Sequence, residues 1–406
     1  MKWVVGILIV VVVAGVAVYY NAWGIAAQLL PLIERSEQVR VSPPSEFTVP
    51  AGFEVSIYSD SVPGARVMMR DPKGTLIVSE SSEGRVVALP DTNSDNVADQ
   101  VIEMLTGLEN PHGLAFVCPD TGFVSADQDA CLLYVAESNA VKSYVYDADT
   151  YHATYKETVV TLPTAGGGHS TRSLHLHPDG KRLLVSVGSS CNVCREDSEK
   201  RAAVVAVDLT TMVTTLYARG LRNSVFMALH PLTGDLWATE MGRDLLGDDI
   251  PPDEVNIIEE NKNYGWPICY GQNIHDTQFD TNTYIRNPCM EPFEAPALID
   301  IPAHSAPLGI AFVPEEGWPE AYWHDALIAY HGSWNRSVPT GYKVVRHEVD
   351  DKGMPTGVVS DFMTGFIKPD DTVIGRPVGV MTEPGGTVYI TDDRAGAIYR
   401  VRRVAP

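Results

Sequence analysis

The amino-acid sequence repeats one pattern six times: a short apolar run, a turn containing Pro or Gly, and then a stronger β-rich run. The turns are Asp71–Gly74, Cys118–Gly122, His177–Gly180, His230–Gly234, Pro314–Gly317 and Glu383–Gly386. The runs after these turns are Thr75–Ser79, Leu132–Ala136, Arg182–Val187, Asp235–Thr239, Ala326–Tyr330 and Thr387–Thr391. Further β-rich runs follow at Val86–Leu89, Ser143–Tyr146, Ala203–Val207, Glu254–Ile258, Lys343–Arg346 and Ala397–Val401. Such segments between Gly and Pro turns are typical of strands, so the chain is predicted to repeat an all-β unit.

The spacing of the repeat indicates the architecture. Equivalent positions in the first set of runs are Leu76, Leu132, Leu183, Leu236, Leu327 and Val388, separated by 56, 51, 53, 91 and 61 residues. A period of about 50 residues fits one four-stranded propeller blade. The long step predicts an insertion near 260–300. We therefore predict a six-bladed β-propeller over 50–406, in which radial repetition protects the sheet edges. Two β-sandwiches are the alternative.

The N-terminal segment is apolar and long. No charged residue occurs between Lys2 and Glu34, and Trp3–Tyr20 has about the length needed to span a bilayer. Tyr19, Tyr20 and Trp23 form an aromatic cluster of the kind found at a membrane interface. This pattern predicts an N-terminal transmembrane helix within 1–30, followed by a linker over 31–49.

The same segment predicts the compartment. With Lys2 on the cytoplasmic side, the propeller would be periplasmic or otherwise extracytoplasmic and anchored in the inner membrane. A signal peptide cleaved after Ala26 is the alternative, because small residues precede that bond. Both interpretations place the folded domain outside the cytoplasm.

The six cysteines agree with an oxidising compartment, where an even number favours disulfides. Fifteen pairings are conceivable. Nearness along the chain favours Cys118–Cys131, Cys191–Cys194 and Cys269–Cys289. The Cys191–Cys194 pair is not a haem attachment motif, because Arg195 replaces the required His, and no second such pair supports zinc.

The composition narrows the range of partners. The net charge is −22 and the pI is about 4.8, which argues against a nucleic-acid partner because phosphate binding needs a basic surface. Hydrophobic residues make up 45% of the chain, enough for a large core.

The propeller repeat also predicts which residues meet. The first strand of each blade lines the central channel, so the residues that precede these strands converge at one end of it. They are Arg66, His112, His169, Arg172, Arg222, Asn223, His304, Ser305 and Arg376. Several arginines facing one pocket would repel one another without an anion between them. A planar polycarboxylate fits such a pocket, because guanidinium groups bind carboxylates in pairs.

Ten motifs in these regions carry a family resemblance. They are Gly166–His169, Val187–Cys194, Arg219–Asn223, Gly242–Asp249, Pro252–Glu254, Asn263–Pro267, His304–Gly309, His331–Arg336, Gly375–Pro377 and Asp392–Arg400. Together they resemble the bacterial glucose/sorbosone dehydrogenases that use pyrroloquinoline quinone (PQQ), especially the sorbosone dehydrogenase branch. The resemblance extends from about residue 50 to 403.

The resemblance implies residue roles for the quinone chemistry. His169 corresponds to the general base that removes a proton from the sugar hydroxyl while hydride passes to PQQ. Arg222, Asn223 and Arg376 correspond to groups that bind the quinone, and Arg336 corresponds more loosely to such a contact. His112 is a candidate from the repeat alone.

The resemblance also implies calcium. The backbone carbonyls of Gly242 and Arg243 would bind an ion that acts as a Lewis acid on the quinone. The carboxylates that follow, which help order this loop, are Asp248, Asp249, Asp253 and Glu254. One departure concerns Ser189, which stands where the soluble glucose dehydrogenases have a carboxylate that orients the catalytic His.

A second calcium site is predicted from the residues themselves. Asp91, Asn93, Asp95 and Asp99 occupy positions 1, 3, 5 and 9 of a loop, as in an EF-hand. Ile102 stands where the EF-hand has its bidentate Glu, so we predict a calcium loop of another kind between blades. A solvated acidic turn is the alternative.

These observations predict a quinoprotein that oxidises an aldose or sorbosone and passes electrons to a separate acceptor, either a cytochrome or the quinone pool. The chain contains no CxxCH motif for a haem of its own. Two alternatives are a calcium-dependent sugar lactonase and a non-catalytic propeller that binds a surface partner or a glycan. A lactonase would need several carboxylates at the channel centre.

Overall fold

The strands of the chain form six four-stranded antiparallel sheets and one two-stranded hairpin within the residues described here. The structure, a computed structural model, describes residues 44–119, 130–164, 169–290, 292 and 294–404. All of them belong to one unit that spans Val41–Pro406. The predicted six-bladed β-propeller is confirmed over this part of the chain.

The blades follow one another in chain order. Blade 1 comprises β2 (Ala65–Arg70), β3 (Leu76–Glu80), β4 (Arg85–Leu89) and β5 (Ile102–Leu105). Blade 2 comprises β6 (Leu114–Val117), β7 (Leu132–Ala136), β8 (Ala140–Asp147) and β9 (His152–Thr161). Blade 3 comprises β10 (Arg172–Leu176), β11 (Arg182–Val187), β12 (Ala203–Asp208) and β13 (Thr214–Arg219).

In the second half of the propeller, blade 4 contains an additional hairpin and blade 6 includes the first strand of the chain. Blade 4 comprises β14 (Ser224–Leu229), β15 (Leu236–Glu240), β16 (Asp253–Ile257) and, after the hairpin β17 (Cys269–Tyr270) and β18 (Ile274–His275), β19 (Ile299–Ile301). Blade 5 comprises β20 (Pro307–Phe312), β21 (Ala326–Tyr330), β22 (Lys343–Val349) and β23 (Pro355–Met363). Blade 6 comprises β24 (Pro377–Glu383), β25 (Thr387–Asp392), β26 (Ala397–Arg403) and β1 (Phe53–Ser59).

The ring closes because β1, from the start of the domain, pairs antiparallel with β26 at its end. Phe47 precedes β1 and is buried against Phe366 and Tyr399, with ring centroids 4.8 and 4.6 Å away. Thr48 also bridges to Thr364. The packed domain therefore begins before residue 50, inside the linker predicted over 31–49.

The innermost strands of neighbouring blades approach one another closely around the channel. They contact in the cyclic order β2, β6, β10, β14, β20 and β24. A Cβ atom on Gly309 would lie 2.4 Å from the carbonyl oxygen of Val378, and one on Gly379 would lie 2.4 Å from that of Arg66. Only glycine permits two backbones to pass at this distance.

Buried hydroxyl groups connect successive blades. Thr239 in β15 donates to the carbonyl oxygen of Leu308 at 2.8 Å, and Thr391 in β25 donates to that of Arg66 at 2.9 Å. Ser186 in β11 makes the equivalent contact with Ser224. These three second strands are thereby fixed to the first strand of the next blade, close to the residues at the channel mouth.

All six cysteines are paired as the sequence predicted: Cys118–Cys131, Cys191–Cys194 and Cys269–Cys289. The last of these lies between β16 and β19, in the stretch near 260–300 where the sequence predicts an insertion. The predicted membrane helix over 1–30 lies outside the described residues. Among the described residues, no helix has the length and apolar character needed to cross a membrane.

Candidate active site

A cavity of about 300 Å³ opens at the end of the channel where the first strands begin and the second strands end. Its lining combines charged, amide and aromatic side chains, and this volume is at the small end of ligand pockets. The polar and aromatic side chains are Arg66, His169, Ser170, Thr171, Arg222, Asn223, Asp244, Asp253, His304, His331, Trp334 and Asn335. Five residues from the predicted convergent set are among the lining residues: Arg66, His169, Arg222, Asn223 and His304.

His169 reaches the cavity just before β10, and its tautomer follows from two contacts. Its Nδ1 lies 3.1 Å from the carbonyl oxygen of Ser189 and 2.8 Å from the Ser189 hydroxyl. That hydroxyl donates its proton to the carbonyl oxygen of Cys191 at 2.6 Å. Both Ser189 oxygens must therefore accept from Nδ1–H, which leaves Nε2 as the ring's proton acceptor.

The surroundings of His169 keep the ring neutral. Burial lowers the pKa of His169 to about 4, and the positive charge of Arg222 acts in the same direction. Gly188 permits the close packing, because a Cβ atom there would lie 2.7 Å from that of His169 and 2.6 Å from Asn223 Oδ1. The site therefore holds a neutral imidazole at physiological pH.

Arg222 is buried beside His169 and is held from several directions. Its Nε donates to the carbonyl oxygen of Asn192, its Nη1 to that of Met241, and its Nη2 to Asn192 Oδ1 and Asp244 Oδ2, over 2.9 to 3.2 Å. Four of the five N–H groups of a guanidinium are thus used. Among the described residues, the Asn223 amide donates only to the Met241 sulfur at 3.5 Å, a weak acceptor, so it keeps capacity for a ligand.

A second cluster of ionisable groups contributes Arg66 and His331 to the cavity lining. Arg66 Nη1 donates to Asp393 at 2.8 Å, and His331 Nε2 contacts the same carboxylate at 3.0 Å. Burial raises the pKa of Asp393, but His331 and Arg66 outweigh it and hold the pKa below the ordinary value. Arg66 Nε is buried and has no hydrogen-bond partner among the described residues. This unsatisfied donor fits an acceptor-rich ligand.

Comparison with known proteins identifies the family. The family model described as TrAA12-like matches residues 47–404, nearly all of the propeller. The chain belongs to the TrAA12-like family.

Two curated relatives of this TrAA12-like chain cover most of its length. An uncharacterised protein of Borreliella burgdorferi is 31% identical over 88% of this chain and 91% of its own. A pyrroloquinoline quinone-dependent sugar dehydrogenase of Hypocrea jecorina is 26% identical over 87% of this chain and 89% of its own. The resemblance to PQQ-dependent sugar dehydrogenases is confirmed at the level of the family.

A solved relative shares the fold of the TrAA12-like chain. The structure of a Trichoderma reesei carbohydrate-active enzyme of family AA12 superposes with a TM-score of 0.73 at 25% identity, covering 90% of this chain and 99% of that one.

The TrAA12-like propeller places three predicted quinone contacts outside the cavity lining. Arg376 lies behind His331: its Nη1 donates to His331 Nδ1 at 3.3 Å, and its guanidinium lies 5.1 Å from the Tyr342 ring centroid. Arg336 bridges Asp249 at 3.1 Å and the carbonyl oxygen of Ala303. His112 is fully buried beside Ser173 and Phe226. Arg376 therefore contacts a lining residue, whereas Arg336 and His112 bond to residues outside the lining.

The residues predicted to bind calcium divide into two groups. Gly242 lines the cavity, and its N–H donates to Asp253 Oδ1 at 2.9 Å, so Asp253 does order this loop. The other Asp253 oxygen accepts from the Ala306 N–H at 2.8 Å, and burial raises the pKa of Asp253 to about 7. The side chain of Arg243 turns to Asp276 at 2.6 Å. Within the described chain, no hydrogen bond uses the carbonyl oxygens of Gly242 or Arg243.

The remaining acidic residues of this region lie away from the cavity lining. The Asp248 carboxylate accepts from the N–H and the hydroxyl of Ser337, and Asp249 forms an ion pair with Arg336. Glu254 is buried and accepts from the Gly271 N–H at 2.6 Å and from Asn256 at 3.0 Å. Their bonds fix loops around the site.

The loop predicted as a second calcium site folds on itself. Asp91 and Asn93 both accept from the N–H of Asp95, and Asp99 accepts from Thr92 at 2.6 Å, which lowers the pKa of Asp99. In the described part of the chain, the one group of three or more His, Cys, Asp or Glu ligand atoms within 4.8 Å of one another is Cys191, Cys194 and Glu196. Those cysteines form a disulfide, so the group is not a thiolate metal site.

The His169 environment predicts a titration. We expect the His169 ring in the isolated protein to stay neutral until the pH falls to about 4, because burial and Arg222 disfavour its charged form. NMR of the ring nitrogens measures both this pKa and the tautomer. Ser189→Ala should preserve the Nδ1–H tautomer through the Ser189 carbonyl, whereas Ser189→Asp should raise the pKa. A ring that is half protonated near pH 6.5 would refute this description.

Proposed function

We propose that this TrAA12-like chain oxidises an aldose or sorbosone by hydride transfer to PQQ, with His169 as the general base. The observation that carries the proposal is the meeting of His169, with Nε2 as acceptor, and two arginines in one cavity. The sequence-related sugar dehydrogenase of Hypocrea jecorina supports the same chemistry.

The donor set fits an anionic, acceptor-rich cofactor. Within the part of the chain that the structure describes, Arg66 has an unsatisfied Nε, Arg222 retains one N–H, and the Asn223 amide has only a sulfur partner. These groups would hold carboxylate and carbonyl oxygens of PQQ. When bound, PQQ supplies the acceptor for the hydride.

His169 would supply the base at the sugar. Its Nε2 would take the proton of the C1 hydroxyl as the C1 hydride leaves, so that a carbonyl forms at C1. Trp334 lines the cavity with 71% of its surface exposed and offers an apolar face for the sugar ring.

Calcium would bind at the loop after β15. The carbonyl oxygens of Gly242 and Arg243 are suited to this ion, which prefers oxygen ligands. Asp253 would hold the loop through its bond to the Gly242 N–H. Bound calcium supplies Lewis-acid polarisation of the cofactor.

The proposal includes a compartment and an electron acceptor. Three disulfides agree with an extracytoplasmic location, with the N-terminal segment as the inner-membrane anchor. Electrons would pass to a separate cytochrome or to the quinone pool.

Reconstitution tests the proposed function. Protein purified without cofactor and then loaded with PQQ and calcium chloride should reduce a redox dye when an aldose or sorbosone is added, and a chelator should lower that rate. Loading with calcium alone is the control. Absence of both an absorbance change on adding PQQ and dye reduction across a broad sugar panel would refute the proposal. Hydrolysis of sugar lactones without quinone would favour the lactonase instead.

A further inference from the structure

The disulfide between Cys191 and Cys194 closes a short loop that lies directly against the candidate site. This loop follows β11 and Ser189. It contacts the elements that present Arg222 and Asp244 to the cavity, and its Cys191 carbonyl oxygen accepts from Ser189, which in turn contacts His169. The proposed reaction gives the disulfide no role.

Asn192, inside this loop, holds two of those elements together. Its Oδ1 accepts from Arg222 Nη2 at 2.9 Å and from the Asp244 N–H at 2.8 Å, while its Nδ2 donates to the Asp244 carbonyl oxygen at 3.0 Å. Its backbone carbonyl oxygen accepts from Arg222 Nε at 2.9 Å. Two of the four hydrogen bonds of the Arg222 guanidinium therefore come from this one residue.

Cys191 acts on His169 through Ser189. The Cys191 carbonyl oxygen accepts the Ser189 hydroxyl proton at 2.6 Å, which turns the serine oxygen lone pairs toward His169 Nδ1. Displacement of Cys191 would free this hydroxyl to rotate. One loop thus sets the orientation of both the proposed base and the buried arginine.

The same disulfide differs from the other two in the burial of its cysteines. Cys191 and Cys194 are both half-buried. The other two disulfides each include a buried cysteine, with 5% exposure for Cys118 and 0% for Cys289. A small reductant should therefore reduce Cys191–Cys194 first, because either of its half-buried cysteines can be attacked, whereas Cys118–Cys131 offers only the half-buried Cys131.

We propose that Asn192 is a positioning residue for Arg222 and Asp244, that the Cys191–Cys194 disulfide holds it in place, and that reducing this disulfide lowers turnover. The effect on turnover rests on the proposed function, whereas the effect on Arg222 does not. In the reduction, a dithiol breaks the S–S bond, two protein thiols form, and the dithiol closes into its own cyclic disulfide.

The first test compares Asn192→Ala with Val193→Ala in cofactor-free protein. Proton exchange at the Arg222 guanidinium, measured by NMR, should be faster in Asn192→Ala. It should be unchanged in Val193→Ala, because that variant keeps Asn192. In loaded enzyme, Asn192→Ala should lower kcat by roughly 10- to 100-fold, because small misplacements of site groups cost this much. The KM for the sugar should change far less. Equal guanidinium exchange in both variants would overturn the positioning role.

The second test reduces the disulfide in the folded protein. Brief treatment with a dithiol, then alkylation and mass spectrometry, should modify Cys191 and Cys194 first, with a parallel loss of turnover that reoxidation restores. The control is Cys118→Ser/Cys131→Ser, which removes another disulfide and should keep normal turnover. Complete alkylation of Cys191 and Cys194 with unchanged guanidinium exchange would overturn the proposal. A different result would refute the proposed function alone. In that case reduction speeds proton exchange at the Arg222 guanidinium, but the protein loaded with PQQ and calcium oxidises no sugar even before reduction.

Discussion

His169→Ala is expected to lower the turnover of the loaded enzyme by roughly 10²- to 10⁴-fold, the usual contribution of a positioned general base. The ring lies in the cavity with Nδ1 committed to Ser189, so Nε2 is the acceptor available to a substrate hydroxyl. The loss should fall on kcat. Quinone affinity, measured by absorbance titration, should change little, because the arginines remain.

Two variants separate base catalysis from packing. His169→Gln keeps much of the volume but has no basic nitrogen, so it should be as slow as His169→Ala. His177→Ala removes a histidine that pairs with Asp179 at 3.1 Å at the other end of blade 3, and it should leave kcat unchanged. Retention of normal turnover in His169→Gln would remove His169 from the chemistry.

The propeller was predictable because a local pattern recurs. Three predicted second-strand runs, Leu132–Ala136, Arg182–Val187 and Ala326–Tyr330, agree with β7, β11 and β21 at both ends. The closure of blade 6 by β1 was not predicted, because the pairing of Phe53 with Arg403 joins the two ends of the domain and leaves no local signal.

The candidate site was predictable in part. Residues before the first strands were expected at one end of the channel, and Arg222 and His169 do line the cavity there. Arg376, at the equivalent position of blade 6, instead donates to His331 and does not line it. The repeat fixes the height of a side chain along the channel, but its direction depends on neighbours from other blades.

The two arginines of the cavity have anionic partners within the protein. The arginines were expected to require an anion between them, yet Arg66 pairs with Asp393 at 2.8 Å and Arg222 with Asp244 at 2.9 Å. Both aspartates follow second strands, whose ends lie at the same end of the channel as the starts of first strands. Support for a quinone therefore comes from the unsatisfied Arg66 Nε and not from repulsion.

The repeat contains a pattern that indicates the site residues absent from the prediction, which are Asp244, His331 and Asp393. Carboxylates recur at the ends of second strands: Glu240 accepts from the Asn223 N–H at 2.7 Å, and Asp392 accepts from the Arg376 N–H at 2.9 Å. Each holds the backbone just before the first strand of its own blade. Asp244, His331 and Asp393 also follow second strands, so positions just after these strands indicate neighbours of the residues that precede the first strands.

Arg222→Gln is expected to weaken PQQ binding by about 2 to 5 kcal/mol, or roughly 30-fold to more than 1,000-fold in Kd, the usual cost of truncating a buried charge pair. Arg222 is 4% exposed, so solvent screens its charge weakly. The substitution also leaves Asp244 without its cationic partner, and that carboxylate would repel an anionic ligand. Absorbance titration of cofactor-free protein with PQQ measures the change.

Two further variants identify the cause of such a loss. Arg222→Lys keeps the charge but cannot form the paired guanidinium contacts, so its affinity should fall between those of the parent and Arg222→Gln. Arg182→Gln removes an arginine that pairs with Asp179 and Glu260 outside the cavity, and it should bind PQQ normally. If Arg222→Gln bound PQQ as tightly as Arg182→Gln, the cavity between His169 and Arg66 would not be the quinone site, because its most deeply buried cation would contribute nothing to holding the anion.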